Sequence, residues 1–320
     1  MTGWLSLRPE PRKLVRCQKG FSLAELAVAF VIIGLLLAGA LMPISAQLEV
    51  RSVADTRRSM DSIRDAVIGF AQSNGRLPCP ANGALAMGAV GAGTEQWDST
   101  NNRCTTALGV VPWSTLGVAE VDAWGRRFTY RITSAFADAI SNATYAATTT
   151  LTPANAALAS PANQSPACSA PVPTPALSTF ALCSLGDIAV FTRNDSTHAT
   201  SAIAVGIPAI IISHGKNGYG AFQPSGTRLI GSGDGNSDGV PDQNVDEAAN
   251  INGTTTITVV AVTGSSSYLH NAYFSRNAST ATSSCSDSTA GSPFCEFDDI
   301  VLAISPSTLI TRMISASRLP

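Results

Sequence analysis

KGFSLAELAVAFVIIGLLLAGALMP, residues Lys19 to Pro43, decides how the rest of this chain is read. Between Phe21 and Met42 only Ser22 and Glu25 interrupt the small and apolar residues. A helix of that length, at about 1.5 Å per residue, covers roughly the 30 Å of bilayer hydrocarbon. Ahead of it Arg8, Arg12, Lys13, Arg16 and Lys19 stand against a single acid, Glu10. That asymmetry predicts a cytoplasmic N-terminus, with everything after Met42 on the other side of a membrane. A carboxylate in a lipid-facing helix costs about 2–4 kcal/mol unless something pairs with it, so the sequence predicts a partner for Glu25.

Three readings compete for the segment. A cleaved secretory signal ends its apolar core at small residues, here Ala38, Gly39 and Ala40, but this core is longer than such a signal needs. A permanent single-span anchor fits the length and leaves Glu25 without a purpose. The third reading rests on Gly20 followed by Phe21, Ser22, Leu23, Ala24 and Glu25 behind a short basic leader. This arrangement closely resembles the processing site of type IV pilins and of the pseudopilins of type II secretion systems. In that family a membrane aspartyl peptidase cuts after the glycine and methylates the new amine. The resemblance implies cleavage between Gly20 and Phe21, an N-methylated Phe21, and a Glu25 that accepts the charged amine of a neighbouring subunit. Opposite charges attract strongly at low dielectric, so such a contact holds a subunit in register. The implied partners are prepilin peptidase, other pilin or pseudopilin subunits and an inner-membrane assembly platform. The implied location is a single pass of the bacterial inner membrane, then a periplasmic or cell-surface filament.

Pro43 bends a continuing helix rather than ending it. Val53, Met60, Ile63, Val67 and Phe70 recur at helical spacing up to Asn74 and Gly75, a C-cap signature. Phe21 to Asn74 therefore reads as one helix roughly 80 Å long. The domain plan is a removed leader over 1–20, the helix over 21–75 with its span in 21–42, and an exported head over 76–320. Strands are expected at Arg127 to Thr133, Asp187 to Thr192, Ile203 to Gly206, Ala209 to Ser213, Thr254 to Thr263 and Asp298 to Ser305, each β-branched or aromatic between turn residues. The stretches 134–185 and 264–292 are rich in Ser, Thr and Ala and read as insertions. The fold class expected is α+β, with a long N-terminal helix, membrane-spanning in its first half, packed on an antiparallel β-sheet head with large Ser/Thr-rich insertions. Asp122 to Gly125 with Phe128 and Tyr130, Ser213 to Gly218, and Asp298 to Ile300 are similar to short elements of the major pseudopilins.

Of seven cysteines, Cys17 lies in the leader. The remaining six, Cys79, Cys104, Cys168, Cys183, Cys285 and Cys295, allow fifteen connectivities, about three bridges in an oxidising compartment. Proximity along the chain favours 79 with 104, 168 with 183 and 285 with 295. The run GSGDGNSDGVPDQNVDE, 231–247, places Asp234, Asn236 and Asp238 in alternation, with Asp242 and then Asp246 or Glu247 to close an oxygen cage of the kind calcium prefers. Its twelfth position is Val245 rather than an acid, and Asp298 and Asp299 are alternative contributors. Structural calcium is the cofactor expected.

Catalysis is not expected, because His198, His214 and His270 fall in no recognisable constellation. Nor is nucleic-acid binding. The leader carries five of the 20 basic residues and one of the 22 acids, which leaves the remainder at a net charge of −6 and repels phosphate. Arg126, Arg127 and Arg131 read as a solvated strand face. The function expected from the resemblance is a minor pilin or pseudopilin that assembles through its N-terminal helix. The alternative is an exported adhesin or binding module that uses the helix only as a membrane anchor.

Overall fold

The computed structural model describes residues 22–100, 102–137, 180, 186–229, 245–253, 256–260, 267–280 and 284–319. Two compact units divide the chain, Met1–Arg51 and Ser52–Pro320. One helix, α1 (Leu23–Asn74), supplies residues to both. Its C-terminal end is a glycine cap: Gly75 adopts φ +73° and its N–H donates to the carbonyl of Ala71 at 2.8 Å, a left-handed conformation that glycine enters without a Cβ penalty.

Among the described residues no helix is long and apolar enough to cross a membrane. This corrects the expected span over 21–42. With it fall the expected single-pass inner-membrane location, assembly into a filament through a membrane helix, and the membrane-anchored alternative.

The second unit builds outward from β7 (Ala209–Ser213), whose five residues are all buried. β7 is an inner strand of a four-stranded antiparallel sheet ordered β10-β7-β4-β3, with β10 (Ile300–Ile304), β4 (Thr129–Ile132) and β3 (Leu108–Val110). Ala209 and Ile211 join Met60, Ile63, Val67 and Ala71 of α1 in one apolar cluster. Ile210 and Ile212 join Ile188, Val190, Ile207 and Tyr273 in another. With both faces covered, β7 reads as a continuous apolar run rather than as an alternation.

A second sheet supplies that other cover. Its order is β6-β5-β9-β8, with β6 (Thr200–Ile207), β5 (Ile188–Arg193), β9 (Ser267–Phe274) and β8 (Thr256–Val260). β5 and β9 run parallel, Ile188 opposite Asn271 and Phe191 opposite Phe274. Among the described residues the head is therefore not one antiparallel sheet but two four-stranded sheets, one mixed, with a two-stranded ribbon of β1 (Trp97–Asp98) and β2 (Arg103–Cys104). β9 also lies inside the stretch expected to be an insertion. Its antiparallel partner β8 precedes it along the chain, Thr256 opposite Asn271, whereas its parallel partner β5 is far away in sequence, and no local signal announces that second pairing.

Two helices finish the layers. Ala249 of α3 (Val245–Asn252) and Phe297 pack with Ala189, Phe191, Ala272 and Phe274 on the outer face of the second sheet. Leu309 and Met313 of α4 (Pro306–Ser315) close the cluster beneath α1. Disulfides join Cys79 to Cys104 and Cys285 to Cys295; Cys168 and Cys183 lie outside the described residues.

The arginines read as a solvated face are otherwise placed. Arg127 is fully buried. Its Nε and Nη2 donate to Glu120 Oε1 at 2.9 and 2.6 Å. The carbonyls of Gly83, Leu85 and Pro224 accept its remaining protons at 2.9, 2.7 and 3.1 Å. Its guanidinium lies 4.5 Å from the ring centre of Trp113, which begins α2 (Trp113–Leu116). A guanidinium offers five N–H donors in a rigid plane, so it can close three loops at one point. Arg131 faces Asp187 at 3.6 Å.

Candidate functional site

Where β7 ends, the chain turns through Ser213 to Gly220, and this turn meets α3 and the start of β10. Ser213 Oγ donates to Asp122 Oδ2 at 2.7 Å, and the other oxygen of Asp122 accepts the N–H groups of Trp124 and Arg126, each at 2.9 Å. The 122–126 turn is thereby tied to the end of β7. His214 is buried, with Nε2 2.9 Å from Thr129 Oγ1. Its Nδ1 lies 3.4 Å from Asp299 Oδ1, out of line for a hydrogen bond. Asn217 donates its backbone N–H to Asp298 Oδ2 at 2.8 Å and its side-chain amide to Glu247 at 3.1 and 3.3 Å. Glu247 Oε1 also accepts the N–H of Asp298 at 2.9 Å. One turn along α3, Asn250 donates to Asp299 Oδ2 at 2.8 Å and binds both backbone groups of Phe274.

Glu247, Asp298 and Asp299 thus each bring an oxygen within 4.8 Å of the others. Glu247 and Asp299 are buried, and Asp298 partly so. Among the described residues, Asp298 Oδ1 and Asp299 Oδ1 accept no hydrogen bond. Burial, then the charges of Asp299 and Asp298, push the Glu247 carboxyl up to about 10. Burial and then Asp299 push Asp298 up to about 7. Three carboxylates in little water repel one another, and two of their oxygens accept no hydrogen bond among the described residues. Hard oxygen donors so arranged fit a divalent cation. The cluster could hold one.

The turn depends on Gly215, at φ +53°, where a Cβ would stand 2.3 Å from Asp298 Oδ1. Gly215→Ala is expected to cost on the order of 1–3 kcal/mol, read as a lowered midpoint in urea unfolding.

Of the cage residues read from sequence, Asp234, Asn236, Asp238 and Asp242 lie outside the described residues. Asp246 is turned elsewhere, which corrects its reading as a ligand. Arg193 Nε reaches its two oxygens at 2.8 and 2.9 Å, and Arg276 Nε reaches Oδ2 at 3.0 Å. Arg276 also pairs with Asp287 at 2.9 Å. Neighbours on a helix are separated by about 100°, so α3 sends Asp246 into this ion network and Glu247 into the cluster. Asn217 and Asn250, which aim the carboxylates, escaped the sequence reading; the signal for Asn217 was its place in the Ser213 to Gly218 turn.

At the other end of the chain, Gly20 and Phe21 lie outside the described residues. Glu25 is engaged within its own helix end. Its Oε2 accepts the N–H and hydroxyl of Ser22 at 2.9 and 3.0 Å, and its N–H donates to Ser22 Oγ at 3.2 Å. This is a capping box, in which serine and glutamate three residues apart satisfy each other's amides. The hydrogen bonds from Ser22 hold the Glu25 carboxyl below the usual carboxylate range.

Residues 15–41 match the prokaryotic N-terminal methylation motif. No curated protein and no solved structure matches the chain. The motif is consistent with the type IV pilin superfamily and implies processing by an enzyme of the prepilin-peptidase type. Fold and motif together define the class: a prepilin-type N-terminal segment followed by an α+β domain of small sheets.

Proposed function

We propose that this chain is a precursor processed as type IV pilins and pseudopilins are, cut between Gly20 and Phe21 and methylated on the amine of Phe21. We further infer that its two-sheet domain is a non-catalytic binding or structural module held in shape by calcium. The match of residues 15–41 to the methylation motif carries the reading, since Gly20 and Phe21 lie inside it. Calcium suits the cluster because its three members offer carboxylate oxygen alone, the donor that calcium prefers and that zinc sites seldom use exclusively.

One arrangement invites an enzymatic reading. Thr129, His214 and Asp299 stand in the order of a nucleophile, a base and an orienting acid. Thr129 and His214 are 3% and 0% exposed, and His214 Nδ1 makes no hydrogen bond to Asp299 Oδ1, so the acid does not orient the base. Thr129 and His214 instead tie β4 to the end of β7.

Mass spectrometry of the mature N-terminal peptide, from cells with and without prepilin peptidase, tests the processing. The expected peptide begins at methylated Phe21 and disappears without that peptidase. A start near Ala40, or an intact Met1 in both strains, rejects it.

A further inference from the structure

β10 is an end strand: β7 pairs with one edge, and no described strand pairs with the other. Natural sheets blunt an open edge with charge, proline or a bulge, yet Ile300–Ile304 reads IVLAI and holds neither charge nor proline. Beside this free edge runs a groove whose opposite wall is α1. It comprises two depressions of about 260 and 390 Å³. In the first, Arg57, Met60 and Asp61 face Ile300, Val301 and Leu302. In the second, Arg64, Ile68 and Gln72 face Ala303, Ser305 and Arg312. Helix and strand climb together, since 57 to 68 rises about 16 Å along a helix and 300 to 305 about 17 Å along a strand.

The charges along the groove are unevenly matched. Asp61 and Asp65 both pair with Arg64, at 2.8 and 3.1 Å. Arg57 and Arg312, both exposed, have no acidic partner among the described residues. Arg57 marks one end. Arg312 marks the other, its carbonyl bound by Gln72 at 3.0 Å. From 57 to 72 the helix rises about 22 Å, the reach of about seven residues of extended chain.

We propose that this groove takes an extended segment of a partner protein, about seven residues long, added as a strand to the free edge of β10 with an acidic residue near each end. Backbone hydrogen bonds to β10 supply affinity, alternate side chains pack toward Met60 and Ile68, and Arg57 and Arg312 set register and polarity of charge. Asp299 of the acidic cluster also lines the first depression, but the proposal stands apart from the processing and cation readings, because none of its contacts needs the N-terminal segment or a bound ion.

The test is fluorescence anisotropy of the full chain with a labelled heptapeptide, Glu-Val-Thr-Val-Thr-Val-Asp, and its counterpart with lysine at both ends. Saturable binding of the acidic-ended peptide, at least tenfold tighter than the lysine-ended one, is expected. Arg57→Glu with Arg312→Glu, both on exposed side chains, should reverse that preference. Methylating alternate peptide nitrogens should abolish binding in one phase and spare it in the other, since only every second amide faces β10. Failure of both peptides to saturate, a preference unmoved by the double variant, or indifference to backbone methylation overturns the proposal. Self-association that the peptide does not displace assigns the edge to a second copy and overturns it equally.

Discussion

Arg127→Met is expected to destabilise the protein by roughly 3–5 kcal/mol, the range for breaking a buried ion pair from one side. In a domain of this size that lowers the melting temperature by about 10 °C or more. The cost has little to do with the strength of the pair itself. Methionine fills much of the volume and retains a contact with Trp113, but it leaves Glu120, only 13% exposed, with an uncompensated charge. It also strips donors from the carbonyls of Gly83, Leu85 and Pro224. Adding Glu120→Gln removes the stranded charge and should recover part of the loss, which is measurable by urea unfolding of both variants. Equal midpoints for wild type and Arg127→Met would remove this clasp from the account of the fold.

Chelating calcium at pH 8 is expected to lower the melting temperature by about 10 °C relative to saturating calcium. A ligand at a thousandfold its dissociation constant contributes about 4 kcal/mol to a native state that alone binds it. The pH dependence identifies the groups. Glu247 rises from 4.5 to about 10 and Asp298 from 3.8 to about 7, so without a cation the native state holds these protons more tightly than the unfolded chain. Stability then falls as pH rises, through Asp298 from about pH 4 to 7 and through Glu247 onward toward 10. A cation keeps both groups ionised and removes that slope. Thermal melts from pH 5 to 8 should therefore decline in chelator and stay nearly level in calcium. Glu247→Gln, which neither ionises nor ligates as a carboxylate, should leave only the Asp298 decline, ending near pH 7, and abolish the calcium effect. Identical profiles with and without calcium in the wild type would reject the cation site.

Much of the second unit was legible along the chain because its signals are local. Val67 and Ile63 follow the helical period and are fully buried. Gly75 sits where the left-handed turn demands it. β7 overlays its expected range, Ala209 to Ser213, because a run of isoleucines between Pro208 and His214 needs no distant information to be a buried strand. The pairs of turn and strand resembling pseudopilin elements also found each other: Ser213 to Gly218 meets Asp298 and Asp299, and Asp122 is tied to Ser213.

What sequence alone determined, then, was local: the processing-type segment at the start of α1, the apolar stripe along its later turns, and six of the strands. Only the tertiary structure decided the parallel pairing of β5 with β9, the free edge of β10, the burial of Arg127, and the choice of Glu247 over Asp246 for the acidic cluster. Periodicity and turn chemistry reach a few residues and are written in the order of the chain. Strand partners, the face a helix turns inward, and the carboxylates that share one dry volume depend on groups brought together from far apart, and those energies exist only once the chain has closed on itself.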